Sequence, residues 1–288
     1  MEYRIAGATG SVLIKNLSVW NLIGGAYINP SSFLFIPGLA SLLIKESLVE
    51  KAPSFSKNHV LMIKCQRMQF SDHFQNISKE FKYACDKMDR FQYYLRLNKA
   101  IEMTYKLSSM GKTSFVSDSL VTDLEEDKIL ATHRLLAVCV NKATGIPASL
   151  PQELRELAEE RSNVTKNSDI FTRNLMETAP EGSVAKHVGM EDVTFLDYVP
   201  HHKYLNFYLD CLARDATMNG VTNLPGNMPI WDYQVRSCSF LYLKQSKLGD
   251  RIQTFYWKDP ADMWSFYFKT MRNKETICEA RVKMTAAK

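Results

Sequence analysis

The chain has 288 residues, 45% of them hydrophobic, which suffices for one large core or two ordinary ones. A net charge of +5 is mild for this length, and no stretch gathers Lys and Arg into a stripe, which argues against a nucleic-acid partner. Six cysteines without a CxxC pair argue against a disulfide framework or a thiolate metal cluster, and indicate reduced, buried thiols.

In chain order, SVLIKNLSVW (11–20) reads as a strand. Asn29 and Pro30 then start a helix through FLFIPGLASLLIKESL, with Asn as cap and Pro in the first turn. Its apolar run Phe33–Ile44 is about 12 residues long and holds Pro37 and Gly38, whereas a bilayer span needs about 20. A buried helix is therefore expected, with no stable membrane insertion. Met1–Gly10 has no basic segment followed by an apolar block, so no signal peptide is expected. Strands follow at 59–68, 100–109, 113–124 and 128–140, each rich in β-branched and aromatic residues. The polar and aromatic stretch Gln69–Lys99 between the first two is expected to form an extra helix or a lid. PQELRELAEERSNVTKNSDIF is charged and helix-prone, and METAPEGSVAKHVG (176–189) reads as loop, so a linker is placed at 152–190.

After the linker, FLDYVPHHKYLNFYLDCLARDATMNG (195–220) runs from a strand end into an amphipathic helix that Asn219–Gly220 stops. Four short strands follow: YQVRSCSFLYL, RIQTFYWKD, MWSFYFKTM and TICEARVKM. They are separated by the KQSKLGD turn, Pro260 and the RNKE turn. One helix and a strand meander, met twice, is an α+β pattern. Laid side by side, the closing hairpins pair His133 with Ala280 and Arg134 with Arg281. Counted from Asn21 to His133 against Asp197 to Ala280, the first half is longer by about 29 residues.

Two segments carry a family resemblance. GKTSFVSDSLVTDLEEDKILATHRLLAVCVNKATGIPASLPQELR (111–155) resembles the last strands and exit segment of 4-hydroxybenzoyl-CoA-type hotdog thioesterases. FLYLKQSKLGDRIQTFYW (240–257) resembles a strand pair of the same family around Gly249 and Asp250. The tandem order with a charged linker is similar to acyl-acyl-carrier-protein thioesterases. The resemblance implies two tandem hotdog domains, each a long central helix wrapped by a curved antiparallel sheet, packed as a pseudo-dimer. The domains would be 1–151, with a degenerate site and an insertion at about 69–99, and 191–288, with the active site.

The chemistry is expected at the start of the second helix. Asp197-Tyr-Val-Pro-His201 matches the Asp and His positions of the family's D-x-N-x-H segment, with Val199 in place of Asn. A thioester carbonyl set against helix N–H groups is polarised, while a carboxylate attacks it or takes a proton from water. Asp197 is thus expected as base or nucleophile, with His201 or His202 as its polar partner. Lys203 and Tyr204 stand where the family keeps a polar pair. Where carrier-protein thioesterases keep a Glu or Cys, this chain has Gln245 and Ser246. In the first half, Asn21, Gly24 and Gly25 offer no acid, base or nucleophile. Tyr204, Phe207, Phe33, Phe35 and Leu39 are expected to line the acyl chain's site, against the plainer reading that they are core.

The function so implied is hydrolysis of fatty acyl-CoA or acyl-carrier-protein thioesters, with no cofactor. The alternatives are an acyl-thioester-binding protein without turnover and, behind it, a hotdog enoyl-CoA hydratase. No metal site is expected, because His73 and His133 have no partner at ligand spacing along the chain. A homodimer of tandem hotdogs and a cytoplasmic location complete the expectations, and an organelle such as the mitochondrion fits the same observations.

Overall fold

The computed structural model describes residues 2–6, 9–14, 57–86, 100–152, 155–156, 171, 178–194, 197–219, 224–226 and 232–286. The expected strand beyond Ile14 and the helix from Asn29, with Phe33, Phe35 and Leu39, lie outside these residues.

The described elements form one antiparallel sheet of eleven strands and two long helices. Strands β1 (Glu2–Ala6), β2 (Thr9–Ile14) and β3 (His59–Phe70) precede helix α1 (Asp72–Asp86). Then come β4 (Ile101–Met110), β5 (Ser114–Asp123), β6 (Lys128–Asn141) and β7 (Gly182–His187). Helix α2 (Lys203–Asn219) leads to β8 (Tyr233–Tyr242), β9 (Arg251–Asp259), β10 (Asp262–Arg272) and β11 (Glu275–Ala286). Across the sheet the order is β1-β2-β4-β5-β6-β3-β8-β11-β10-β9-β7.

Every strand expected from 59 onward forms within two residues of its expected bounds. Two elements differ from expectation. β1 had no signal in the sequence, and 182–187 is a strand rather than loop, paired with β9 along the sheet edge. Its side chains alternate between exposed and half-buried, so little apolar patterning marks it. What fixes it is space: a Cβ on Gly182 would lie 2.5 Å from the Tyr256 ring and 2.8 Å from the Asp215 carboxylate. Only glycine lets the edge backbone approach the buried Tyr256–Asp215 hydrogen bond.

The helices follow from local signals. Ser71 caps α1, its Oγ accepting the Phe74 N–H at 3.1 Å. This is the extra helix expected within 69–99. On α2, buried Tyr204, Leu205, Phe207, Tyr208, Cys211 and Leu212 recur at helical spacing and face the sheet. Tyr208, fully buried, stacks on Phe268 at 4.6 Å between ring centroids. The β10–β11 turn has Asn273 and Lys274 at φ of 48° and 69°, the left-handed pair that suits a two-residue hairpin.

At the middle of the sheet β3 pairs with β8 over five positions only, from Cys65 opposite Leu241 to Gln69 opposite Ser237. Arg67 and Ser239 face each other at the centre of that stretch. Their outer neighbours are Arg134 on β6 and Arg281 on β11, the two arginines matched in the sequence. Beyond the five pairs the strands splay at both ends, producing two forks. α1 packs against one: Gln75 Nε2 donates to the Val235 carbonyl at 2.9 Å, and Gln234 Nε2 donates to the Gln75 carbonyl at 3.3 Å. Among the described residues the other fork is open, bordered by the start of α2.

Candidate active site at the open fork

Beyond the Cys65–Leu241 pair, the first residues of β3 and the last of β8 diverge around a cavity of about 370 Å³. That is within the range of small-molecule sites. Met62, Ile63, Val138, Val140, Val199 and Leu243 give it an apolar wall, and Lys64, His201, Lys244 and Gln245 give it polar groups.

The start of α2 closes one side. A tight turn precedes it: the Asp197 N–H donates to the Thr194 carbonyl and the Thr194 N–H to the Tyr198 carbonyl, both at 3.0 Å. Asp197 sits at φ 58°, the left-handed region that Asp tolerates better than most residues. The Val199 N–H then donates to the Ser246 carbonyl at 2.9 Å, pinning the segment to the β8–β9 turn. Pro200 and His201 lead into the helix, their carbonyls accepting the N–H groups of Lys203 and Tyr204.

This geometry sorts the expected site residues. His201 and Tyr204 line the cavity, and His201 meets the edge of the Tyr242 ring at 4.4 Å. Burial, with a smaller contribution from His202, lowers His201 to about 4. Burial and then Lys203 lower His202 to about 4. Both imidazoles are thus neutral at physiological pH; each can accept a hydrogen bond at its unprotonated nitrogen, and burial makes each a weaker base than free imidazole. Asp197 is exposed and is absent from the cavity wall. Among the described residues no carboxylate lines the cavity. Phe207 is also outside the wall: it packs in the core with its ring under the Lys186 ammonium at 4.5 Å and against Tyr204.

Several contributors were invisible to motif reading. Tyr242 lines the cavity and its hydroxyl donates to the His201 carbonyl at 3.3 Å. Gln66 Nε2 donates in turn to that hydroxyl. Gln66 Oε1 lies 3.2 Å from His133 Nε2, which puts the proton on that nitrogen because an amide oxygen only accepts. Burial lowers His133 to about 3, so it is a neutral link. Tyr204 and Ser246 share a buried hydroxyl–hydroxyl bond of 3.0 Å, and burial raises the Tyr204 phenol above its ordinary range. The available sequence signal was a polar residue in an inward-facing strand position, Gln66 on β3 and His133 on β6.

Neither a protein-family model nor a curated protein matches the sequence. Solved structures do match the fold. The chain aligns with the 12:0-ACP thioesterase from Umbellularia californica at a TM-score of 0.69 and 11% identity, covering 98% of this chain and 99% of that one. It aligns with an acyl-ACP thioesterase from Bacteroides thetaiotaomicron at a TM-score of 0.62 and 12% identity, covering 96% and 98%. The fold is thus the α+β hotdog type of these acyl-ACP thioesterases over nearly the whole chain.

Proposed function

We propose that this protein hydrolyses fatty acyl thioesters, of CoA or of acyl-carrier protein, at the open fork. The observation that carries the reading is His201, a neutral imidazole at the start of a 17-residue helix and in the wall of a mostly apolar cavity. An acyl chain suits the apolar wall, and Lys64 and Lys244 suit a carrier's phosphate. In the proposed step His201 takes a proton from water as the water oxygen bonds to the thioester carbonyl carbon. The helix start favours the negative charge that develops on the carbonyl oxygen. Collapse breaks the carbon–sulfur bond, and the departing thiolate takes the proton back from His201.

Asp197, the residue expected to lead, is assigned the lesser part because its carboxylate is exposed and outside the wall. His202 is assigned support of the same turn. Fatty acyl-CoA hydrolysis by wild-type protein, His201→Ala and Asp197→Ala tests this order. Loss in the His201 variant with most activity kept in the Asp197 variant is expected. Equal loss in both would restore Asp197 to the leading role, and full activity in His201→Ala would refute the mechanism. One observation favours a second reading, a binding protein without turnover: no carboxylate among the described residues lines the cavity. Heat protection by acyl-CoA without hydrolysis is the result that would select it.

The two sides of the sheet are, in this proposal, tandem hotdog units, residues 1–151 and 191–288, the second extended by the edge strand β7, so that the linker expected at 152–190 ends before Gly182. The strand order outward from β3 and β8 supports it, as does the matched placement of Arg134 and Arg281. A homodimer of such chains is proposed as well, to be tested by light scattering. Among the described residues no helix is long and apolar enough to cross a membrane. The free buried thiols of Cys65, Cys139, Cys211, Cys238 and Cys278 support a reducing compartment, and we assign the cytoplasm.

A further inference from the structure

The plugged end of the sheet carries a second group of titratable side chains, which the proposed thioester chemistry does not use. His73 stands in the first turn of α1, Asp123 ends β5, and Glu126 lies in the β5–β6 turn. Fifty residues of chain separate His73 from Asp123, yet His73 Nε2 lies 3.3 Å from Asp123 Oδ2 and 3.9 Å from Glu126 Oε2. All three donor atoms lie within 4.8 Å of one another.

These spacings suit a small metal ion. Bonds of about 2.0–2.2 Å in a tetrahedral arrangement put donor atoms roughly 3.3–3.6 Å apart. The His73–Asp123 distance already meets that, and Glu126 is exposed enough to turn inward. The other two donors are anchored. The Ser71 cap sets the turn that carries His73, and the Glu125 N–H holds Asp123 Oδ1 at 3.0 Å, leaving Oδ2 toward the imidazole. Glu126 now pairs with Lys128 at 2.8 Å, an exposed ion pair that is cheap to exchange. One imidazole and two carboxylates offer a divalent ion one nitrogen and two oxygen donors.

We infer that His73, Asp123 and Glu126 form a binding site for a divalent cation of the zinc class, with a fourth position left to solvent. One nitrogen and two oxygen donors favour such an ion over magnesium or calcium, which prefer all-oxygen sites. Because its donors come from α1 and from the β5–β6 hairpin, the bound ion ties the plug helix to the sheet. The assignment does not depend on what the open fork does.

The test titrates the metal-free full-length chain with zinc sulfate, followed by calorimetry and by thermal melting. One saturable site and a rise in Tm are expected, with no rise in magnesium. His73→Ala and the milder Glu126→Gln should each weaken binding at least about tenfold. Cobalt in place of zinc should show no thiolate charge-transfer band. Absence of saturable zinc binding would leave a plain His–carboxylate pair and overturn the site. Unchanged binding in both variants, or a thiolate band placing the ion on cysteines, would overturn it equally.

Discussion

The two forks of the central strand pair start from the same geometry and end differently. At one, among the described residues, β3 and β8 splay beside a mostly apolar cavity with His201 in its wall. At the other, α1 enters and is tied to β8, Gln75 donating to the Val235 carbonyl and Gln234 to the Gln75 carbonyl. A splayed strand pair leaves unpaired backbone groups and apolar side chains, so it must be filled by the chain or held for a ligand. The capped helix after Phe70 decides which: α1 (Asp72–Asp86) supplies a plug on one side, and among the described residues the α2 entry supplies a wall on the other.

The largest expected effect that would sharpen this contrast lies at the open fork. His201→Ala should lower acyl thioester hydrolysis by about 10²–10⁴-fold, the usual weight of one general base, while leaving urea denaturation nearly unchanged. At the plugged fork the reverse is expected. Gln75→Leu removes the donor to the Val235 carbonyl and should cost about 1–3 kcal/mol in urea denaturation, with hydrolysis preserved. Comparable loss of activity in the Gln75 variant would break the division of labour.

A smaller, graded effect is expected from acid. The folded-state pKa values of His133, His201 and His202 are lowered to about 3, 4 and 4 against an ordinary value near 6.5. Between those values the unfolded chain binds more protons than the folded one, so stability falls as pH drops from about 6.5 toward 4. Two of the three histidines line or flank the open fork, and the third is linked to it through Gln66 and Tyr242. Melting temperature across that range should therefore fall less steeply in His201→Ala than in wild type. An unchanged slope would argue against buried neutral imidazoles there. The smallest effect belongs to Glu126→Gln without metal: loss of an exposed pair with Lys128 should move stability by less than about 1 kcal/mol.

The sequence was informative where the chain's own chemistry decides the outcome. Runs such as KILATHRLLAVCV and RIQTFYWKD read as strands because β-branched and aromatic side chains fit a half-buried pleat, and both form. The stripe from Tyr204 to Leu212 faces the sheet as its spacing requires. The β7 edge strand was not legible, since backbone pairing and the small volume of Gly182 hold it rather than any apolar run. The site divides along the same line. His201, expected from its place before a helix, lies in the cavity wall, but the exposed position of Asp197 depends on a turn folding back to Thr194. The link from His133 through Gln66 to Tyr242 depends on the register of three strands. Four residues of spacing did not bring Asp197 to the cavity wall, whereas strand register brought His73 to Asp123 across fifty.

The five-residue seam between β3 and β8 has a mechanical consequence. Because hydrogen bonding continues through it from one side of the sheet to the other, the two sides cannot swing apart to admit a ligand without tearing the seam. Entry to the cavity therefore falls to side chains and turns at its rim, such as Gly145 and Pro147 after β6 and Gln245 after β8. A gene cut between β6 and β7 would turn that seam into two bare strand edges, and such edges seek new partners. The halves should stay soluble when made together and precipitate when made alone.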